Sequence, residues 1–320
     1  EQLYFEENLT KEYFQKYDLP IEKLEKLKEI RDKLEKKARK QGLSWPSYYG
    51  LVMLDGDSMG KWLSGEYLNN KSELESFHKN LSKSLGEYAE KVQEEIVKPP
   101  KGSLVYAGGD DVLAFLNLNY LLYILEELRA NFPDFTQLAS VKEGFSSSAS
   151  CGVVLAHYKT PLSAVLREAR RAEKKAKSFS QKDCLAMVAM KRSGEIVEAF
   201  LNWKESGNLK VLEKFIQFIK EDKLSSKFLK VLRSEFGRLI REELENHSPI
   251  EKEWIHIEIQ RLILRSQKKG KEKELKDFSE ELFLLYQNLS SGLKPKEDQG
   301  FSSLHNFLSL LEICEFLTRQ

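Results

Sequence analysis

Cysteine is scarce. Cys151, Cys184 and Cys314 are the three in 320 residues, far apart and with no CxxC pair. That spacing excludes a zinc knuckle and a disulfide framework, and makes a reducing cytoplasm the expected setting. No apolar run approaches the length of a membrane span, so no membrane partner is expected. The start, Glu1-Gln2-Leu3-Tyr4-Phe5-Glu6-Glu7, is acidic and is no signal peptide. It lacks an initiator Met, which reads as an excised piece of something longer or a processed form. An excess of either charge is missing too: Lys+Arg number 51 against 50 Asp+Glu. Bulk charge therefore does not point to nucleic acid, and any such contact must be local. What is present is 41% hydrophobic residues, enough for real cores, and 32% charged residues, as expected of helices with salted surfaces.

The chain is organised around Val105-Tyr106-Ala107-Gly108-Gly109-Asp110-Asp111-Val112-Leu113-Ala114-Phe115. Two apolar runs flank Gly-Gly-Asp-Asp and read as strands joined by a tight turn. Glycines there permit positive φ and the close approach of a ligand. Two like charges ~4 Å apart repel by roughly 4 kcal/mol at an effective dielectric of about 20. A divalent cation removes that penalty, and hard oxygen ligands suit magnesium. Taken alone, the four residues fit an ordinary Asp-rich hairpin equally well. A second stretch shifts the balance. The apolar run Tyr49–Leu54 ends in Asp55-Gly56-Asp57-Ser58-Met59-Gly60-Lys61-Trp62. It reads as a strand, a carboxylate, and a loop entering a helix, whose backbone amides favour phosphate. The roughly 50 residues to the hairpin fit a strand–helix–strand crossover, which would bring Asp55 beside Asp110 and Asp111. Three carboxylates at two strand ends make a two-metal nucleotidyl-transfer site.

In chain order, residues 1–20 carry Tyr4, Phe5, Tyr13, Phe14 and Tyr17 and read as a docking segment or short helix. Pro20 opens a charged helix to about Lys40, with Leu24, Leu27, Ile30 and Leu34 as its stripe and Gly42 as its stop. After the 50–55 strand, a helix over 72–97 buries Leu74, Phe77, Leu81, Leu85, Tyr88 and Val92, and Pro99-Pro100 ends it. Strands 103–107 and 111–116 form the hairpin. A helix over 119–130, a Ser-rich loop at 146–148 and a strand over 149–156 follow; Gly152 there lets a backbone or a base come close. Pro161 opens a helix to about Ser178, with Leu162, Val165, Leu166, Ala169, Ala172 and Ala176 facing inward. Its basic flank of Arg167, Arg170, Arg171, Lys174, Lys175 and Lys177 is either solvated or, at Lys174 or Lys177, set against phosphate. His78 and His157 read as packing residues. A strand over 184–190 completes a β-α-β-β-α-β, ferredoxin-like order followed by a further helix and strand. Past Ser193-Gly194 the periodicity is helical throughout: 196–219, 226–246, 250–267, 273–290 and 301–318. The breakers are Ser225-Ser226, Ser248-Pro249, Lys268-Lys269-Gly270 and Ser291-Gly292, and Lys268–Lys271 reads as an exposed basic turn. The fold class is α+β: an N-terminal helical segment over 1–46, a ferredoxin-like domain over 47–192 and an all-α domain over 193–320.

The joint pattern Leu54–Trp62, Tyr106–Asp111, then Gly152–His157 before Pro161-Leu162 and a helix ending Ala176-Lys177, resembles the CRISPR polymerase. That is the large palm-containing subunit of type III effector complexes, with the Cmr (III-B) branch nearest, and the resemblance covers its C-terminal portion. The helical tail, ending Leu310–Leu317, is similar to that family's C-terminal helical domain with less specific signals. The resemblance implies a palm related to GGDEF-type cyclases that makes cyclic oligoadenylates from ATP when guide RNA pairs with target RNA, alongside backbone and small subunits. It implies Asp55 and Asp110 as ligands of Mg2+ or Mn2+, with Asp111 completing the site or orienting the attacking 3′-hydroxyl. The Gly56 carbonyl adds a ligand, Gly108 and Gly109 let the nucleotide lie close, and Asp57, Ser58, Lys61 and Lys177 line the triphosphate path. The family's upstream HD domain, first palm and zinc module are not legible here: no His is followed by Asp. One palm would supply the metal-binding half of a two-palm site. Two other readings stand beside this one. One is a homodimeric GGDEF-like cyclase acting on GTP, disfavoured by Asp-Asp in place of Asp-Glu. The other is an inactive palm that scaffolds guide RNA and backbone subunits, disfavoured by the intact Asp55, Asp110 and Asp111.

Overall fold

The structure is a computed structural model. It describes all residues except 1–5, 41–45, 205, 226, 247–251, 269–271, 296–300 and 320. The expectations at Tyr4, Phe5, Gly42, Ser226, Ser248-Pro249 and Lys269–Lys271 lie outside the described residues. The chain divides into two compact units, Glu1–Ser47 and Tyr48–Gln320. In the first, α1 (Lys11–Lys16) starts at Thr10, whose hydroxyl accepts from the Tyr13 amide. It is followed by α2 (Leu24–Lys40). Leu9, Phe14 and Leu24 form the unit's small core. Ile30 and Leu34, expected on the apolar stripe, are exposed.

The second unit is built on a six-stranded sheet. Strand β1 (Tyr48–Gly56) leads through the short α3 (Met59–Leu63) to α4 (Leu74–Lys91). A π turn over Val92–Ile96 prolongs α4. Phe77, Leu81, Leu85, Tyr88 and Val92 are buried at the expected helical spacing. The hairpin is β2 (Gly102–Gly108) and β3 (Asp111–Leu116), and α5 (Leu121–Ala130) leads to β4 (Ala149–His157). Next come α6 (Leu162–Ala176), β5 (Cys184–Met190) and β6 (Ile196–Asn202). The strand order is β2-β3-β1-β4-β5-β6. β1 lies between β3 and β4, antiparallel to both, while β4 and β5 run parallel. The first four strands thus have ferredoxin-like order, and β5 and β6 extend the sheet.

All nine residues of β4 are buried, as expected of a strand covered on both faces. On one face a Cβ at Gly152 would come within 2.5 Å of the Glu173 amide nitrogen and 2.7 Å of the Ala169 carbonyl oxygen. The close approach foreseen there is therefore the backbone of α6. Gly152→Ala is expected to cost about 1–3 kcal/mol through overpacking against atoms that cannot rotate away, read as a shift of the urea midpoint. Val165, Ala169, Ala172 and Ala176 face this contact, whereas Leu162, expected inward, is exposed. The three cysteines are buried free thiols.

Residues 196–202 are a correction. They read as the start of a helix, but they form β6, paired antiparallel to β5 from Met190↔Ile196 to Cys184↔Asn202. Val197, Ala199 and Leu201 are buried in strand alternation. Helix α7 (Ser206–Lys220) begins only after the strand, followed by α8 (Phe228–Asn246), α9 (Lys252–Arg265), α10 (Glu272–Gly292) and α11 (Ser303–Leu317). α11 is buried on nearly all sides. Its Asn306 accepts from the Phe200 amide at 2.8 Å and donates to the Phe200 carbonyl at 2.9 Å, so the bundle satisfies backbone groups on the sheet's outer strand. No helix among the described residues is long and apolar enough to cross a membrane.

Candidate functional site

Strand pairing decides the site. β1 carries Asp55 on its penultimate residue, and its partner β3 begins at Asp111. The β2–β3 turn is the two residues Gly109-Asp110, closed by the Gly108↔Asp111 pair. Gly109 has φ +63, the left-handed conformation that a tight hairpin demands of its first turn residue. Beside it the Tyr106 ring folds over Gly108. Asp55, Asp110 and Asp111 each offer an oxygen within 4.8 Å of the others. Among the described residues this is the one cluster of three or more candidate metal ligands.

The electrostatics fit a cation. Burial raises the Asp110 carboxyl; its own amide and that of Gly56 oppose the rise, and Asp111 adds to it. Burial raises Asp111 as well. Both acids are therefore disfavoured as bare anions, and hard oxygen donors this close suit Mg2+ or Mn2+. A basic group already sits among them: Lys177, at the end of α6, pairs with Asp55 and lies 2.9 Å from Glu173. Burial, then the charge of Lys182, brings Lys177 down to about 8. The two carboxylates favour its charged form, and we treat it as an ammonium at neutral pH. Gly56 is packed so that a Cβ would lie 2.8 Å from the Asp110 Cβ and carboxylate. Gly56→Ala is expected to push the hairpin tip off β1 and weaken divalent-cation binding by about tenfold or more, the scale seen when groups that orient metal ligands are lost; titration with Mn2+ checks it.

The loop after β1 separates the remaining residues. Asp57 was expected along a triphosphate path. Its side chain instead turns inward and is buried. It accepts from the Ser148 and Ser150 hydroxyls, both at 2.8 Å, and from the Asp183 amide at 3.0 Å. Burial raises its carboxyl while those donors and Lys182 oppose the rise. A carboxylate saturated with protein donors holds the loop in place and does not face a phosphate. Ser58 has φ +59 and accepts from the Lys182 ammonium at 2.7 Å. Lys61 pairs with Glu66 at 2.9 Å. Lys174 is exposed and makes no contact with the carboxylates, while its neighbours Arg171 and Lys175 are held by Glu198. His78 donates to the Leu63 carbonyl at 2.8 Å, and buried His157 meets the Tyr48 ring edge-on. Both are packing residues.

Sequence reasoning missed the support behind this loop. Arg129 on α5 clamps Asp183 with two hydrogen bonds of 2.5 and 2.6 Å. Lys182 and Asp183 both adopt positive φ, 52 and 48. Consecutive non-glycine residues in that region persist only where surroundings hold them. The one available signal was the Ser-rich loop, of which Ser148 and nearby Ser150 reach Asp57.

Comparison with known proteins agrees with this geometry. Residues 48–186 match the sequence family described as Cas10/Cmr2, second palm domain. The CRISPR system Cmr subunit Cmr2 of Pyrococcus furiosus is 33% identical over 200 residues, 56% of this chain and 22% of that protein. The chain thus spans less than a quarter of that relative's length. The cryo-EM structure of a Type III-B Cmr-beta complex bound to cognate target RNA contains a chain that superposes with a TM-score of 0.55 at 16% identity. The match covers 90% of this chain and 41% of that one. The apo state of the same complex gives 0.56 at 16%, covering 90% and 40%. At that identity the superpositions speak to fold alone. Residues 48–186 are therefore a second palm domain of the Cas10/Cmr2 family.

Proposed function

We propose that this chain is the catalytic palm of a type III CRISPR effector complex in the cytoplasm, making cyclic oligoadenylates from ATP when target RNA pairs with the guide. The observation that carries it is the convergence of Asp55, Asp110 and Asp111 within 4.8 Å at the tip of a Gly-Gly-Asp-Asp hairpin. Asp55, Asp110 and Asp111, with the Gly56 carbonyl, hold Mg2+ or Mn2+. When bound, the ions neutralise charge on the α-phosphate and on the departing oxygen. The 3′-hydroxyl of one nucleotide attacks the α-phosphorus of another. The new O3′–P bond forms as the bond to the bridging oxygen breaks, pyrophosphate departs with that oxygen, and the hydroxyl proton passes to water. Asp111 orients the hydroxyl, Gly108 and Gly109 let the nucleotide lie against the turn, and Ser58, Lys61 and Lys177 meet the triphosphate. The RNA and subunit partners are supported by the relatives, one named a Cmr subunit and one determined with cognate target RNA.

One palm supplies half of a two-nucleotide site. The isolated chain is expected to bind ATP with magnesium yet turn over poorly, and to gain activity with the rest of the complex. Product analysis with ATP or GTP, with and without the other subunits and target RNA, tests this. Robust cyclic product from a monomer refutes the half-site; preference for GTP refutes the oligoadenylate assignment.

A further inference from the structure

A cavity of about 540 Å³ opens at the carboxylate end of the sheet, beyond the loop that follows Asp55. Lys61, Lys182, Lys204, Ser146, Ser148 and Ser180 are among its lining groups. Its inner end is made by Asp57, Ser58 and Lys182, so it is continuous with the loop beside the metal cluster. The field of Lys182 reaches Lys177, which itself touches Asp55. Two carboxylates line the cavity, and both are occupied: Asp57 by three protein donors, Asp183 by the Arg129 fork. Lys61 is partly neutralised by Glu66. Lys182 is bound to a neutral hydroxyl, and Lys204 makes no ion pair within 4 Å among the described residues. The outer wall, Phe145 stacked on Tyr67 at 4.3 Å, is closed on itself and offers no slot between the rings for a base.

Two uncompensated ammoniums among hydroxyl groups, in a cavity with no vacant apolar slot, are the chemistry of an inorganic polyphosphate site. We propose that this cavity receives the pyrophosphate end of the nucleotide and holds the pyrophosphate as it leaves, with Lys182 and Lys204 as its recognising charges. The proposal rests on the nucleotidyl-transfer reading for its role, but the binding itself is measurable without turnover. Lys182 is placed for this by the left-handed turn that Arg129 and Asp183 maintain. Lys204 enters from the residues just after β6, the strand that the sequence did not reveal.

Calorimetry on the full chain with sodium pyrophosphate, without divalent cation, tests the assignment. Pyrophosphate is expected to bind, with AMP at least tenfold weaker. Lys204→Gln and the pair Lys182→Asn with Lys204→Gln are expected to weaken pyrophosphate progressively, the pair by tenfold or more. Asn tolerates the positive φ at 182. If the pair unfolds, Lys204→Gln, an exposed position, carries the test alone. Asp110→Ala with Asp111→Ala is expected to leave this binding no weaker, since it removes only negative charge nearby. Unchanged pyrophosphate affinity in Lys204→Gln overturns the site, as does AMP binding as tightly as pyrophosphate. If the lysine variants weaken ATP but not pyrophosphate, the cavity serves the bound triphosphate alone and the exit role is wrong. Transfer that survives Asp110→Ala with Asp111→Ala in the assembled complex would instead sink the functional reading while leaving the pyrophosphate result standing.

Discussion

Replacing Asp110 and Asp111 together by Ala in the assembled complex is expected to lower nucleotide transfer by about 10³-fold or more, the scale on which losing direct charge stabilisation at a phosphoryl centre acts. The same change is expected to spare the fold. The pair sits at a hairpin tip, and burial and mutual repulsion already disfavour both anions. Their removal should leave the metal-free protein as stable as before, or more stable by up to ~1 kcal/mol. What should disappear is the stabilisation by added Mn2+. A cation at a hundred times its dissociation constant contributes about 2.7 kcal/mol to a chain that binds it only when folded. Melting curves with and without Mn2+, beside product analysis, separate these effects. Full activity in the double variant, or an unchanged Mn2+ shift, would show that the hairpin does not hold the metal.

Arg129→Ala is expected to have the largest effect on stability, about 3–5 kcal/mol, because it strands the Asp183 carboxylate in the interior without a counter-charge. The Arg129 and Asp183 side chains are 14% and 9% exposed, so water cannot take over the lost bonds. Arg129→Met with Asp183→Asn should recover much of the loss, since neither buried charge then remains. Urea midpoints for the two single changes and the double change measure the coupling. The single change should also loosen Asp57, whose carboxylate accepts from the Asp183 amide. Additive losses would mean that the ion pair is not the support described.

Much of the palm was legible because local chemistry announces it. Val, Leu and Ala runs bounded by Gly-Gly-Asp-Asp admit few structures other than a hairpin, and Asp55 after an apolar run marks a strand end. The long buried face of α4 repeats at helical spacing, so its existence did not depend on what it packs against. β6 was missed although Val197, Ala199 and Leu201 alternate, because seven residues flowing into a strong helical pattern are locally ambiguous and only pairing with β5 resolves them. Asp57 was misplaced for a related reason. Nothing in Asp-Gly-Asp says which carboxylate turns outward; Ser148, Ser150 and Asp183, some ninety residues and more downstream, decide it.

From its own order the sequence determined that acidic residues stand at a strand end and at a hairpin tip, since those are properties of neighbours along the chain: alternation, glycine, and charge next to charge. Only the tertiary structure decided that the two places meet, that Lys177 lies among them, that Arg129 holds the turn behind them, and that Lys182 and Lys204 share a cavity. Those are distances between residues far apart in the chain. They follow from sheet order and side-chain burial, which the whole core sets at once.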